Sequence, residues 1–233
     1  RTKQSSTQLV NGYLKWRIRR STKHNAWRKS MKINTINFQD GHSLEIHTDD
    51  SPKSPREYDN IGVMVCFHKR ESPGDNHEYT FTDFNSWDEL QQQIETDHKI
   101  TCILPLYLMD HSGLSISTSP FGCPWDSGQI GFIYCTAEAA KADFGDWAES
   151  SPDNTEQISE RICKRLIAEV KLYDQYLSGD VYGFILRGPP CEKCGGEGKD
   201  IDSCWGFYGD DPLENGMMDH INEQYRIELR RAV

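Results

Sequence analysis

Two clusters of residues have the types and spacing for chemistry. The first is Asp110-His111-Ser112 with Cys123, Asp126 and Ser127 downstream, all within about seventeen residues. A histidine can move a proton near neutral pH, a thiol or hydroxyl can attack an electrophile, and a carboxylate can orient the imidazole. Catalytic roles would therefore fall to His111, Asp110, Ser112, Cys123 and Asp126. The same residues also suit ordinary turns, since Asp-His-Ser-Gly and Asp-Ser-Gly bond readily to their own backbone. The second cluster is Cys191-Glu192-Lys193-Cys194-Gly195-Gly196, with Cys204 ten residues beyond Cys194. Cys-x-x-Cys followed by glycine has the form of a zinc knuckle, and Cys191, Cys194 and Cys204 are the candidate ligands of a structural zinc. A fourth ligand must come through the fold, and a flexible hairpin tip or a redox pair are the other readings.

The elements that must position these residues can be read from periodicity. Ile100 to Leu108 is almost continuously apolar and reads as a central strand covered on both faces, with irregular pairing at Pro105. Leu114 to Thr118 alternates and completes a hairpin, Ser119 to Gly128 is an ordered loop packed by its own aromatics, and Gln129 to Thr136 is a third strand. Asp40-Gly41 between Met31–Phe38 and Ser43–His47 signals another hairpin. Ser86-Trp87-Asp88-Glu89 has capping-box spacing and starts a helix to about Asp97. Thr136 caps a short helix through Phe144. A long helix from about Thr155 to Leu177 carries Ile158, Ile162, Leu166, Val170, Tyr173 and Leu177 on one stripe. Val181–Leu186 and Ile201–Tyr208 form a last hairpin, and Pro212 to Arg230 reads as a terminal helix. The class is α+β, a mostly antiparallel sheet with helices packed on one face.

Of the aromatic residues Trp125, Tyr173, Tyr176, Tyr182, Phe184, Trp205, Phe207 and Tyr208, at least half should be core. Tyr176 and Tyr208 are the expected exposed ones, and Trp125 could floor a site for a stacked base.

The net charge of −10 conceals a division. Residues 1–32 hold ten Lys or Arg and no acid, while residues 33–233 hold sixteen basic and thirty-six acidic residues, a net −20. The expected organisation is a basic arm, 1–32, and a single acidic α+β domain, 33–233. In the arm, Lys15, Trp16, Arg17, Arg19, Arg20, Trp27, Arg28 and Lys29 interleave aromatic and basic side chains, a pattern that can stack on bases and neutralise phosphates. The acidic body repels nucleic acid and suits a basic protein surface. No apolar run approaches the roughly 18 residues of a membrane span, so a soluble, cytoplasmic protein without a membrane partner is expected. Of eight cysteines, Cys66, Cys102, Cys123, Cys135 and Cys163 are scattered through strands, a helix and a loop, which fits buried reduced thiols.

The segments SPREYDNIGVMVCFHKR (Ser54 to Arg70), LPLYLMDHSGLSISTSPFGCPWDSGQIGFIY (Leu104 to Tyr134), YDQYLSGDVYGFIL (Tyr173 to Leu186) and DSCWGFYGDD (Asp202 to Asp211) resemble an uncharacterised family of bacteriophage and mobile-element proteins. The resemblance covers roughly Met31 to Asp211. The basic arm and the Cys-x-x-Cys tip depart from the family pattern. What the resemblance implies is a setting, the host cell cytoplasm, with a host protein as the expected partner and interference with a host process or defence as the expected role. It implies no mechanism. Three function classes follow: an accessory protein that binds a host macromolecule, a small enzyme acting on a nucleotide-like metabolite through His111, or a zinc-stabilised nucleic-acid-binding protein.

Overall fold

The computed structural model describes residues 19–20, 30–145 and 152–232. The chain is α+β; among the described residues every strand pairing is antiparallel and there are four α-helices. Where one acidic domain over 33–233 is expected from the sequence, the described residues divide into two compact units, each with its own sheet. One unit draws on Arg1–Pro52 and Asp180–Val233, and the other is Lys53–Gly179. The second is thus inserted between two strands that pair in the first. No helix among the described residues is long and apolar enough to cross a membrane.

In the outer unit the strands are β1 (Arg19–Arg20), β2 (Lys32–Asn37) and β3 (Ser43–Thr48) from before the insertion. After it come β8 (Val181–Arg187) and β9 (Asp200–Tyr208). Their order is β1-β9-β8-β3-β2. The Asp40-Gly41 hairpin forms as its sequence demands, with Gly41 at φ 84° and Phe38 N donating to His42 O at 2.9 Å. The core collects Leu44, Ile46, Phe184, Leu186, Cys204 and Phe207 from the sheet with Met217, Met218, Tyr225 and Leu229 from the C-terminal segment. The single terminal helix expected from Pro212 is instead a 3-10 turn, Met217–His220, followed by helix α4, Glu223–Ala232. Gly216 at φ 84° sets the first apart, and the Asn222 side chain accepts from Gln224 N at 3.3 Å where the second begins.

Glu45 on β3 is buried yet charged, because Lys32 Nζ (3.0 Å), His47 Nε2 (3.2 Å) and Arg187 Nε (2.9 Å) surround its carboxylate. Burial acts to raise its pKa, but hydrogen bonds from Arg187, Lys32 and His47 prevail and hold it at about 2. A depressed folded pKa stabilises the fold above the unfolded value of 4.5, and that contribution is lost as pH falls towards 2. The expected result is that wild type loses on the order of 2–3 kcal/mol more than Glu45→Gln between about pH 5 and pH 2, measured by urea unfolding. Parallel pH profiles for the two proteins would show that the ion cluster contributes nothing.

The inserted unit contains β4 (Gly62–Cys66), helix α1 (Trp87–Asp97), β5 (Ile100–Asp110), β6 (Leu114–Ser117) and β7 (Ser127–Thr136). Helices α2 (Ala137–Phe144) and α3 (Pro152–Leu177) follow. The sheet order β4-β7-β5-β6 makes β5 and β7 interior strands. Pro105 is tolerated because β6 pairs only with Tyr107 to Asp110, so the missing N–H faces no β6 partner; a register shift follows between Leu106 and Tyr107. Gly131 lies where a Cβ would come within 1.8 Å of Val65 O, which lets β4 and β7 approach closely.

Alternation along the strands separates two packing layers. Met64, Leu106, Ile133 and Cys135 meet Ile162, Leu166, Val170 and Tyr173 of α3, with Ala140 of α2. On the opposite face Val65, Phe132 and Tyr134 meet Leu90 and Ile94 of α1, so helices cover both faces of this sheet where the sequence led us to expect one, because these interior strands are apolar on both sides. Helix α1 starts at the Ser86 cap, with Ser86 Oγ accepting from Glu89 N at 3.2 Å, while the Glu89 carboxylate reaches one residue further back than a capping box prescribes and accepts from Asn85 N at 2.7 Å.

Two cysteines expected to be reduced thiols are not. Cys102 on β5 and Cys163 on α3 form a disulfide, with Cα atoms 5.9 Å apart. The stripe that buries Ile162 and Leu166 turns Cys163 onto the strand that carries Cys102. This geometry is invisible in linear spacing because 61 residues separate them.

Candidate functional site

The hairpin end between β5 and β6 and the loop between β6 and β7 meet on one edge of the inserted unit. Asp110 pairs with Leu114, and the turn between them holds Ser112 at φ 55°, a left-handed conformation rare outside glycine. Ser112 Oγ is occupied by its own chain, donating to His111 O at 2.7 Å. Asp110 N donates to Asp126 O at 2.8 Å and ties the turn to the loop, which Ser127 Oγ closes on Cys123 O at 2.5 Å. The loop is therefore fixed by hydrogen bonds and not, as its composition suggests, by its own aromatics. Trp125 is 92% exposed.

Within this edge the candidate catalytic residues separate into two groups. His111 Nδ1 lies 2.9 Å from Asp126 Oδ2, so the carboxylate that orients the imidazole is Asp126. Asp110 turns elsewhere, to an ion pair with Arg70 and to His68 Nε2 at 3.5 Å. Cys123 Sγ lies 3.8 Å from the same Asp126 oxygen. In a nucleophilic triad the imidazole stands between the thiol and the carboxylate. Here the carboxylate stands between thiol and imidazole, so His111 is not placed to take a proton from Cys123. His111 is also 70% exposed. The arrangement can hold an oriented histidine at the surface, but it lacks a nucleophile in line with that histidine.

Two shallow hollows lie elsewhere in the inserted unit. One, of about 170 Å³, is lined by Phe67, Phe81, Phe84, Trp87 and Leu90 with Asn85 and Ser86. It sits in a chain of ring contacts, Phe67 to Phe81 at 5.5 Å and Phe81 to Trp87 at 5.8 Å, that composition alone did not suggest. The other, of about 250 Å³, runs beside β6 and α3, where Asp174 accepts from Ser115 Oγ and Ile116 N, both at 2.8 Å. Trp125 floors neither. Of the aromatics expected to be exposed, Tyr208 is buried in the core and Tyr176 is half-buried, stacked on Tyr173.

The three candidate metal ligands are not brought together. Cys191 and Cys194 are exposed at the tip of the β8–β9 hairpin, whereas strand register puts Cys204 opposite Phe184, in the core of the outer unit. No group of three or more His, Cys, Asp or Glu among the described residues is placed to hold a metal ion. The candidate nucleic-acid residues Lys15, Trp16, Arg17, Trp27, Arg28 and Lys29 lie outside the described residues. Of Arg19 and Arg20 only the backbone is described, paired with Trp205 and Cys204.

Sequence reasoning missed a buried ion cluster that organises the inserted unit. Glu169, 2% exposed on α3, accepts from Ile61 N (2.9 Å), Gly62 N (3.2 Å) and Arg56 Nη1 (3.1 Å). Arg56 also donates from Nε and Nη2 to Asp75, whose carboxylate accepts from Met64 N at 2.8 Å. A signal was present: Glu169 lies between Leu166 and Val170, inside the apolar stripe of its helix. Its role is to join α3 to the start of β4, which is structural.

No family model, curated protein or solved structure matches this chain.

Proposed function

We propose that the protein is an accessory binding protein that docks on a protein partner through the 119–127 loop, with Trp125 as anchor. The carrying observation is the indole, 92% exposed on a loop closed by its own hydrogen bonds. Tryptophan is enriched among residues that dominate binding energy, because it buries a large rigid surface at little entropic cost. The net −20 of residues 33–233 favours a basic partner surface, and the net +10 of residues 1–32 would attract nucleic acid or an acidic neighbour. The resemblance to phage and mobile-element proteins supplies the setting, a host protein as target in the host cytoplasm.

The test compares immobilised full-length protein with Trp125→Ala on nuclease-treated bacterial lysate. We expect a stoichiometric protein partner for wild type and at least about 30-fold weaker binding for the variant, a loss of 2 kcal/mol or more. Equal capture by both proteins would remove the loop from the interface.

A second reading rests on the His111–Asp126 pair, which could act as acid or base on a small nucleotide-like substrate. His111→Ala separates the readings. Loss of biological activity with partner capture intact would transfer the assignment to the enzyme.

A further inference from the structure

The hairpin tip beyond β8 and before β9 has features that neither its own unit's core nor the proposed docking loop uses. Every residue from Pro189 to Glu197 is exposed, yet the tip is closed by defined bonds. Gly188 N donates to Lys199 O at 2.9 Å, Cys191 N to Gly196 O at 3.0 Å, and Gly195 N to Cys191 O at 2.8 Å. A Cβ at Gly198 would come within 1.7 Å of Gly188 O, so the stalk below the tip is tightly drawn together. Gly195 takes φ +66°, and Gly196 passes so near Cys194 that an added Cβ would touch its Sγ at 3.4 Å. The backbone at Lys193 and Cys194 and the Cys194 side chain, all close to the Cys191 sulfur, lower the pKa of that thiol.

Two thiols three residues apart on an exposed turn, closed by backbone bonds and by Gly195, have the spacing of half of a tetrahedral thiolate site. The missing half does not come from the same copy among the described residues, where no group of three ligands assembles and Cys204 is 1% exposed in the core. The tip stands clear of that core, so a ligand pair can approach from outside. A second copy of the chain brings the same pair on the same protruding turn, and a two-fold axis through the metal satisfies both copies at once.

We propose that Cys191 and Cys194 of two copies together bind one zinc ion, joining the protein as a metal-clasped dimer. Four Zn–S bonds form, and the four thiol protons are released to solvent.

The experiment titrates zinc into the full-length protein, with Cys191 and Cys194 verified as thiols. Metal content is read by elemental analysis and mass by light scattering. The expected result is one zinc per two chains and a species of twice 26.8 kDa, reversed by chelator. Cobalt(II) in place of zinc should give the visible bands of a tetrahedral thiolate site. Cys191→Ser/Cys194→Ser should stay monomeric and metal-free with an unchanged melting temperature, since both residues are exposed. One zinc per monomer, a dimer that persists in the double variant, or no zinc bound at micromolar metal would each overturn the proposal.

Discussion

Glu169→Ala should cost about 3–5 kcal/mol of unfolding free energy, among the largest losses expected of any single substitution in the chain. The carboxylate is the shared acceptor for two backbone N–H groups and one Arg56 nitrogen, with Arg165 Nε 3.6 Å away, and its side chain is wholly inaccessible. Removing it leaves Ile61 N and Gly62 N without their acceptor in a dry environment, and it strips Arg56 of half of its compensating charge. Asp75 keeps the other half, so the loss should fall short of the cost of a completely isolated buried charge. Glu169→Gln retains shape and one acceptor, and should lose less than the alanine variant. Urea unfolding gives the magnitude. Hydrogen exchange at Ile61 and Gly62 gives the location, because those amides should lose protection before the outer unit changes. A loss below about 1 kcal/mol would show that water or other groups replace the carboxylate at little cost.

Breaking the Cys102–Cys163 disulfide should be the second large effect. Cross-linking residues 61 apart removes chain entropy from the unfolded state worth about 4 kcal/mol in the loop-closure model. For a unit of this size that corresponds to a fall on the order of 10 °C in melting temperature. Cys102→Ala/Cys163→Ala should melt lower than wild type and be insensitive to reductant, whereas reductant should bring wild type down to the variant. Thiol titration under denaturing, non-reducing conditions should find six of the eight cysteines reactive. Eight reactive thiols in unreduced protein would show that the bond does not form.

Both effects rest on pairs that linear reading could not make. Arg56, Asp75 and Glu169 lie in a 3-10 turn, a loop and a helix, and nothing local requires them to meet. Cys102 and Cys163 fitted the pattern of scattered buried thiols until α3 was laid across β5. The candidate site shows the same limit. The sequence placed His111, Asp110, Ser112, Cys123 and Asp126 close together, but it could not tell which carboxylate would reach the imidazole. The hairpin register sends Asp110 to Arg70 and leaves Asp126 to His111.

What the sequence alone determined are properties carried by a few neighbouring residues. The Asp40-Gly41 hairpin, the Ser86 cap of α1, the apolar stripe of α3, the strands around 100–136 and the α+β class all follow from periods of two or 3.6 residues and from turn chemistry. The charge division and the spacing of the Cys-x-x-Cys turn are likewise legible, since composition and sequence contain them. Only the tertiary structure decided the division into two units, the disulfide, the buried carboxylate, the core position of Cys204 and the exposure of Trp125. Each of these depends on which faces pack and in what register, and a strand or helix offers its partner several faces of similar hydrophobicity. That choice is made by the summed packing of the whole core, a quantity that no short stretch of sequence contains.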